Sequence, residues 1–160
     1  MLEAGFVIIS IEAIRHQIQG NSVKDPKHLN ELSEGKLPDL LGIKITAVSE
    51  LELRAEMEIT ESHMAPNGYL HAGSVVSLAD TLTGYACLAN LPEGASGFTT
   101  IELKSNHLGT ARSGTVESIA IPVHKGRTTQ VWDATVVSKE TGKTIALFRS
   151  TLMVLYPAGA

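Results

Sequence analysis

The stretch NGYLHAGSVVSLADT, residues 67–81, joins a turn to the start of a helix near the middle of the chain. Its first two residues, Asn67 and Gly68, form a dipeptide typical of turns. Over residues 74–89 the apolar side chains recur at helical spacing, which predicts a long helix with one broad buried stripe. The stripe consists of Val75, Leu78, Ala79, Leu82, Tyr85, Ala86 and Ala89. The neighbouring segments must therefore be arranged around this central helix.

Strand patterns lie on both sides of the helix. Apolar and charged side chains alternate from Leu51 to Ile59, which is typical of a strand with one face in water. Residues 43–48 are expected to pair with that strand as a hairpin through Ser49 and Glu50. Four later strands are predicted at residues 98–107, 115–124, 128–138 and 144–156. This order predicts an α+β fold, in which an antiparallel β-sheet wraps around one long central helix.

The first part of the chain has a different pattern. Residues 2–19 carry a helical apolar stripe, and residues 20–28 contain glycine, asparagine and proline, which indicate a linker. Residues 29–35 predict a short helix that ends at a glycine. We therefore divide the chain into an N-terminal helical extension and linker, residues 1–36, and a single domain, residues 37–160.

The composition argues against several classes of protein. The formal net charge is −4 without a basic block, so nucleic acid is not an expected partner. The single cysteine, Cys87, allows no intrachain disulfide and fits a reducing compartment. The apolar run at residues 6–11 is too short to cross a membrane and lacks a basic leader. No HExxH or CxxC motif indicates a metal site. We expect a cytoplasmic protein that binds neither a membrane nor a metal.

Asp80 admits two interpretations. It lies about 140° around the helix from Val75, outside the apolar stripe. It could be a solvated acid that the helix dipole favours, and the pattern alone gives that interpretation slightly more weight. Alternatively, Ala72 and Gly73 present N–H groups at the helix N-terminus that can hold the oxygen of a polarised carbonyl. A carboxylate two turns further along the helix would then suit acyl transfer.

The segment HAGSVVSLADTLTGYAC, residues 71–87, resembles the signature of the hotdog-fold thioesterases. The resemblance is to the phenylacetic-acid-degradation and hydroxybenzoyl-CoA thioesterase group. In that signature an Asp or Glu follows a His by nine residues, as Asp80 follows His71. The flanking sequences MAPNGYLHAG and GRTTQVWDATV also fit, so the resemblance covers about residues 37–156. It implies a hotdog fold and an acyl-CoA thioesterase acting on an aryl- or medium-chain acyl-CoA.

The same resemblance implies roles for individual residues. Asp80 would act as nucleophile or general base on the thioester. The backbone N–H of Ala72 would be the oxyanion donor, although the family usually has glycine there. His71 would orient the site or contact the thioester. Six residues before the histidine, where many members carry Asn or Gln, this chain has Ala65, so Asn67 is the nearest amide.

Further residues are implied at a subunit interface. A Ser or Thr on the strand after the helix, supplied by the partner subunit, would position the water. We place it at Thr100, with Thr99 as the neighbouring candidate. The resemblance thus implies a homodimer or homotetramer with its sites between subunits.

Coenzyme A carries phosphates, so a thioesterase of this kind needs local cations. Lys125, Gly126 and Arg127 lie together between two predicted strands, and Arg112 lies in an earlier turn. For Lys125 alone, a polar hairpin tip is the better interpretation, whereas Arg127 is the stronger phosphate ligand. Gly73 would let the substrate approach closely. No cofactor is expected, because coenzyme A is part of the substrate.

Two other functions fit the same residues. A hotdog enoyl-CoA hydratase or dehydratase pairs a histidine with a carboxylate, but in sequence contexts that the spacing of His71 and Asp80 disfavours. A non-catalytic acyl-CoA-binding module is the second alternative, because a fold does not determine a function. The presence of Asp80 counts against that module.

Overall fold

The computed structural model describes residues 25–158 of the chain. The helix predicted at residues 2–19 lies outside the described residues, as does most of the predicted linker. Asp25 caps the first described helix, since its side chain accepts a hydrogen bond from the N–H of Lys27 at 2.9 Å. The linker prediction is wrong for residues 26–28, because Pro26 occupies the first helical turn, where its missing N–H is tolerated.

Three α-helices and six strands make up the described part of the chain. The helices are α1 (Pro26–Ser33), α2 (Leu37–Leu40) and α3 (Ala72–Ala89). The strands are β1 (Lys44–Val48), β2 (Leu53–Glu58), β3 (Gly97–His107), β4 (Thr115–Lys125), β5 (Thr129–Ser138) and β6 (Thr144–Leu155). A short 3-10 helix, Glu61–His63, lies between β2 and α3.

The six strands form one antiparallel sheet in the order β1-β2-β4-β5-β6-β3. Helix α3 lies across one face of this sheet and contacts strands β2 to β6. The predicted arrangement of an antiparallel sheet around one long helix is therefore confirmed. β1 and β3 are the two edge strands.

The core lies between α3 and the sheet. The helix stripe is buried at Val75, Leu78, Ala79, Leu82 and Ala86, which pack against sheet residues such as Trp132 and Leu152. Burial extends beyond the predicted stripe, because Thr83, Gly84 and Cys87 are buried too. Much of the circumference of α3 is thus in contact with the rest of the chain.

The second strand of the first hairpin is shorter than predicted. Leu51 is not the first residue of β2 but lies in the turn, 73% exposed. The Ser49 hydroxyl accepts hydrogen bonds from the N–H groups of Leu51 and Glu52, and the Ser49 N–H donates to the Glu52 carbonyl. These bonds hold a four-residue turn, so the strand begins at Leu53.

Helix α1 covers the β1 edge of the sheet. The Asn30 side chain pairs with both backbone groups of Ile45: its Oδ1 accepts from the Ile45 N–H at 2.8 Å, and its Nδ2 donates to the Ile45 carbonyl at 2.9 Å. The amide thus takes the place of a neighbouring strand, which is one way to block an exposed edge. Among the described residues, nothing comparable covers the edge of β3.

α1 also reaches the main core. Leu29 is buried in the same cluster as the α3 stripe, and the Ser33 hydroxyl lies 2.6 Å from the hydroxyl of Tyr85. The division of the chain at residue 36 stays a prediction, although α1 packs on the domain that begins at residue 37.

Candidate active site

His71 caps the N-terminus of α3. Its Nδ1 accepts a hydrogen bond from the Gly73 N–H at 2.8 Å, and its own N–H donates to the His63 carbonyl at 2.9 Å. A Cβ on Gly73 would lie only 2.8 Å from that Nδ1, so the cap requires glycine at this position. We predicted that Gly73 lets the substrate approach closely. In the structure the group that lies close to Gly73 is the His71 ring.

Ala72 is the first residue of α3 and is exposed. The His71 carbonyl accepts from the N–H groups of Ser74 and Val75, and the His71 ring takes that of Gly73. Within residues 25–158 the N–H of Ala72 has no acceptor, as is usual for a first-turn donor. Every non-glycine residue in that range has negative φ, so alanine presents this N–H without backbone strain. A free donor thus lies at the positive end of the helix dipole.

Asp80 lies two turns further along α3 and is half-buried. Its Oδ1 is buried without a hydrogen-bond partner among the described residues. Burial raises the pKa of this carboxyl above its ordinary value, because removal from water disfavours the charged form. The interpretation of Asp80 as a solvated acid is therefore wrong. A partly desolvated carboxylate is instead typical of a reactive group.

Asn67 shapes the turn before α3. Its Oδ1 accepts from the Tyr69 N–H at 3.2 Å, and Gly68 next to it has a φ of +75°. Tyr69 supports Arg112: the guanidinium lies 4.3 Å from the centre of the tyrosine ring, and its Nη2 donates to the tyrosine hydroxyl at 2.6 Å. Arg112 is thereby held beside the N-terminal end of α3.

Thr100 and Thr99 lie on opposite faces of β3. Thr100 pairs in register with the buried Leu152, so it faces the helix side of the sheet. Thr99 pairs with the exposed Met153, on the outer side. Both threonines are exposed, and the pairing favours Thr100 as the residue that could reach a site beside the helix.

Lys125 is the last residue of β4, and Gly126 and Arg127 lie in the turn between β4 and β5. The Lys125 Nζ donates to the Asn90 side-chain oxygen at 3.1 Å and to the Glu50 carbonyl at 3.2 Å. Asn90 follows the last residue of α3, so Lys125 is held at the C-terminal end of that helix. The Gly126 N–H donates to the Thr129 carbonyl in the turn.

Arg127 is exposed and has an aromatic neighbour. Its guanidinium lies 5.5 Å from the centre of the Tyr156 ring, and its carbonyl accepts from the Tyr156 hydroxyl at 2.6 Å. Among the described residues it has no carboxylate partner, so its charge is available to an anion.

The structure divides the predicted site residues into two groups. His71, Ala72, Gly73 and Arg112 lie at the N-terminal end of α3, whereas the Lys125 segment lies at its C-terminal end. The 18-residue helix between them is about 27 Å long. One chain therefore does not bring all the predicted residues together.

Sequence reasoning missed the partners of these cations. Asn90 and Tyr156 each contact a predicted cation, yet neither belongs to the motif that identified the site, and Tyr69, which contacts Arg112, lies in the turn before that motif. The only available signal was the position of Tyr69 within the same turn, two residues before His71. Tyr156 follows the arginine it contacts by 29 residues, so no local pattern links the two.

Two other residues, Trp132 and Cys87, lie in the core. Trp132 is fully buried, and its Nε1 donates to the Gln130 side chain at 2.9 Å. Burial raises the pKa of the Cys87 thiol to about 12, so the thiol stays protonated and packs as a small side chain. Neither residue belongs to the candidate site.

The described residues also limit other kinds of site. Within residues 25–158, His, Cys, Asp and Glu side chains do not come together in threes to hold a metal ion. None of the helices in that range has the length and apolar character needed to cross a membrane.

Comparisons with known proteins identify the family. Residues 67–145 match the family model of the Thioesterase superfamily. The 1,4-dihydroxy-2-naphthoyl-CoA hydrolase of Escherichia coli is 31% identical over 130 residues, which span 79% of this chain and 92% of that protein.

Solved structures agree with this match. A mutant of the Pseudomonas aeruginosa thioesterase PA1618 is 34% identical and superposes with a TM-score of 0.78, covering 82% of this chain and 94% of that one. The Escherichia coli PaaI protein from the phenylacetic acid degradation operon is 27% identical, with a TM-score of 0.73 over 85% and 96% of the two chains. The chain belongs to the hotdog-fold thioesterase superfamily and is a hydrolase of the thioesterase or esterase type.

Proposed function

We propose that this enzyme hydrolyses the thioester bond of an aryl- or medium-chain acyl-CoA. The observation that carries the proposal is the desolvated carboxylate of Asp80, on a helix whose first N–H, that of Ala72, is unpaired among the described residues. An attacking carboxylate and an oxyanion donor are the two groups that thioester hydrolysis requires. The similarity to a naphthoyl-CoA hydrolase supports an aromatic acyl-CoA substrate.

In the proposed reaction Asp80 takes a proton from a water molecule whose oxygen attacks the thioester carbonyl carbon. The Ala72 N–H holds the resulting oxyanion. The C–S bond then breaks, and the thiolate of coenzyme A takes up the proton as the carboxylic acid forms. If Asp80 attacks directly, the intermediate is an acyl anhydride, which water opens in a second step. Thr100 would position the water in either case.

The two proposed catalytic groups lie far apart within one chain. Ala72 and Asp80 are eight residues apart in one helix, which is about 12 Å along the axis. An oxyanion donor lies about 3 Å from the carbonyl oxygen, and the attacking atom lies about 3 Å from the carbonyl carbon. These contacts span less than about 12 Å, even with a water molecule between the carboxylate and the carbonyl carbon. We therefore propose that Ala72 of one copy and Asp80 of another form each site.

A pair of antiparallel α3 helices from two copies satisfies this requirement. It would bring the N-terminal end of one helix beside the middle of the other, and the Arg112 end of one chain toward the Lys125 end of its partner. The β3 edge is where we place the contact, because α1 blocks the β1 edge through Asn30. Exposed Ile101 and Leu103 on β3 would lie within that contact.

The proposed function is tested by thiol release from a panel of benzoyl-, phenylacetyl-, naphthoyl- and medium-chain acyl-CoA esters. We expect hydrolysis of at least one ester, and a loss of at least about 100-fold in Asp80→Asn at unchanged circular dichroism. Near-wild-type turnover by Asp80→Asn would refute the role of Asp80. Hydration of an enoyl-CoA without thiol release would favour a hydratase, and retained coenzyme A binding without either reaction would favour a binding module.

A further inference from the structure

The Phe98 side chain lies against helix α3 at Gly84. Phe98 is the second residue of β3 and pairs with the buried Val154, so it lies on the helix side of the sheet. A Cβ on Gly84 would lie 3.2 Å from the Phe98 Cζ and 3.5 Å from its Cε2. The first of these distances is shorter than an ordinary contact between carbon atoms. The tip of the ring can therefore rest against the helix only because residue 84 has no side chain.

Gly84 lies one helical turn beyond Asp80. The two residues are about 6 Å apart along the axis and about 40° apart around it, so they share one face of α3. Gly84 is buried although its neighbours on that face are only half-buried, because the Phe98 ring lies on it. These half-buried neighbours are Val76, Ser77, Asp80, Thr81 and Leu88. Phe98 itself is partly buried against the core, so part of its ring stays accessible on the face that carries Asp80.

The surface on the two sides of Asp80 differs in character. Toward the C-terminal end of α3 it is formed by Gly84 with the Phe98 ring, and then by Leu88, all of them apolar. Toward the N-terminal end it is mixed and ends in the cation of Arg112. An apolar acyl group gains more from burial on the C-terminal side. The acyl pocket is therefore expected on the side of Phe98.

We propose that Phe98 is a specificity-determining residue, whose ring closes the acyl pocket one helical turn from Asp80 and favours an aryl group over a straight chain of medium length. This proposal rests on the proposed function, in which Asp80 acts on the thioester. An acyl group that extends from the carbonyl along α3 meets the ring after about 6 Å. A benzoyl ring can pack on Phe98 edge to face or offset, whereas an octanoyl chain must fold back or displace it.

The first test compares the hydrolysis of benzoyl-CoA and octanoyl-CoA by the full chain. We expect the wild type to have the higher kcat/KM for benzoyl-CoA. Phe98→Ala should lower the ratio of the benzoyl to the octanoyl kcat/KM about tenfold or more, because it removes the ring contact and opens space for the chain. A wild type that prefers octanoyl-CoA would overturn the inference. So would a variant that loses the same factor on both esters, as a merely structural role of Phe98 would give.

Phe98→Leu keeps an apolar side chain and replaces Phe98→Ala if circular dichroism shows that the latter does not fold. It should lower the same ratio, because the flat ring is lost. The matched control is Phe148→Leu, the same change at a ring that is only 3% exposed within the core. The control should alter stability and keep the wild-type ratio. A ratio that falls as far in Phe148→Leu as in Phe98→Leu would count against a specific role of Phe98.

Gly84→Ala tests the contact between the ring and the helix. The added Cβ would displace the tip of the ring by a few tenths of an ångström, so the benzoyl to octanoyl ratio should change. In the Phe98→Ala background there is no ring to displace, and the same substitution should leave the ratio of that variant unchanged. Equal effects of Gly84→Ala in the two backgrounds would show that the ring does not shape the pocket.

Binding separates this proposal from the proposed activity. The probes are ketone analogues of benzoyl-CoA and octanoyl-CoA, in which a methylene group between the carbonyl and the sulfur prevents hydrolysis. Calorimetry should show that Phe98→Ala shifts the ratio of their Kd values about tenfold in favour of the octanoyl analogue. A protein that hydrolyses neither ester would refute the proposed function, and this ratio would still decide the role of Phe98. An unchanged Kd ratio, or no binding of either analogue, would overturn the inference.

Discussion

The Nδ1 atom of His71 accepts the N–H of Gly73 at 2.8 Å, which makes the motif histidine the cap of α3. The bond uses one ring nitrogen and fixes the ring against the helix. The hydrogen bond occupies the N–H of the second helical residue, Gly73. The N–H of the first, Ala72, stays without a partner among the described residues. The cap thus determines which donor is available for an oxyanion.

Removal of this cap should cost stability. We expect His71→Ala to lower the free energy of unfolding by about 1 kcal/mol, because the Gly73 N–H loses its acceptor. His71→Asn keeps a side-chain acceptor and should recover most of the stability and most of the thiol-release activity. Urea unfolding and the acyl-CoA assay give both quantities. A stable but inactive His71→Asn would show instead that the ring contacts the substrate.

The amide of Asn30 is predicted to be a large contributor to the stability of the β1 edge. Asn30→Ala leaves the backbone N–H and carbonyl of Ile45 unpaired where that residue is almost completely buried, which should cost about 1–3 kcal/mol. Glu31→Ala on the same helix is the control. The ion-pair partners of Glu31 belong to its own helix, so this variant should change stability by less than about 0.5 kcal/mol. Equal urea midpoints for the two variants would contradict the role of Asn30.

The two cations near the β4–β5 turn should differ in their effect on substrate binding. Arg127 has no carboxylate partner among the described residues, whereas Lys125 is already bound to Asn90 and Glu50. Arg127→Ala should raise the KM for an acyl-CoA about tenfold with little change in kcat. A pantetheine thioester, which lacks the nucleotide, should show no such effect.

Lys125→Ala provides the comparison. It should lower stability by about 0.3–1 kcal/mol, because a cation is lost at the C-terminus of α3, and should affect the KM less than Arg127→Ala does. A larger effect of Lys125→Ala on the KM would mean that Lys125 leaves Asn90 to bind the phosphates.

The stability of the fold should depend on the ionisation of Asp80. Burial raises its pKa above the ordinary value of 3.8, so the folded chain holds this proton to a higher pH than the unfolded chain does. The stabilisation is therefore fully present below pH 3.8 and is lost as the pH rises through the raised pKa. Asp80→Asn cannot ionise and should gain stability relative to the wild type over that window. Urea unfolding of both proteins from about pH 4 to 8 measures the difference in their free energies of unfolding. A difference that stays constant over this range would contradict the link between stability and the ionisation of Asp80.

The sheet and its central helix could be predicted from the sequence because alternation and helical spacing are local patterns. The helix over residues 74–89 is observed at Ala72–Ala89, and the four later strands match within one residue at most ends. The beginning of β2 was misplaced because the alternation continues through Leu51, while the Ser49 hydroxyl bonds that hold the turn are not visible in an apolar pattern.

The site was harder to predict because its geometry depends on contacts between distant residues. The spacing of His71 and Asp80 identified the family, but the burial that removes Asp80 from water comes from packing across the fold. Asn30 meets Ile45 across 15 residues, and Arg112 meets Tyr69 across 43, so neither contact has a local signal.

The proposed composition of the active site, with Ala72 from one copy and Asp80 from another, is tested most directly by combining two inactive variants in one dimer. Asp80→Asn lacks the carboxylate, and Ala72→Pro lacks the N–H donor. Proline is tolerated at the first helical position, and the ψ of 135° at His71 suits a residue that precedes proline.

The mixed dimer is purified through a different tag on each variant, and its thiol release is compared with that of each parent. One of its two sites would contain both intact groups, so we predict about half of the wild-type activity per dimer, against almost none in either parent. A wild-type chain paired with Asp80→Asn should also give about half and serves as the control. A mixed dimer as inactive as its parents would show that the two groups act within one chain.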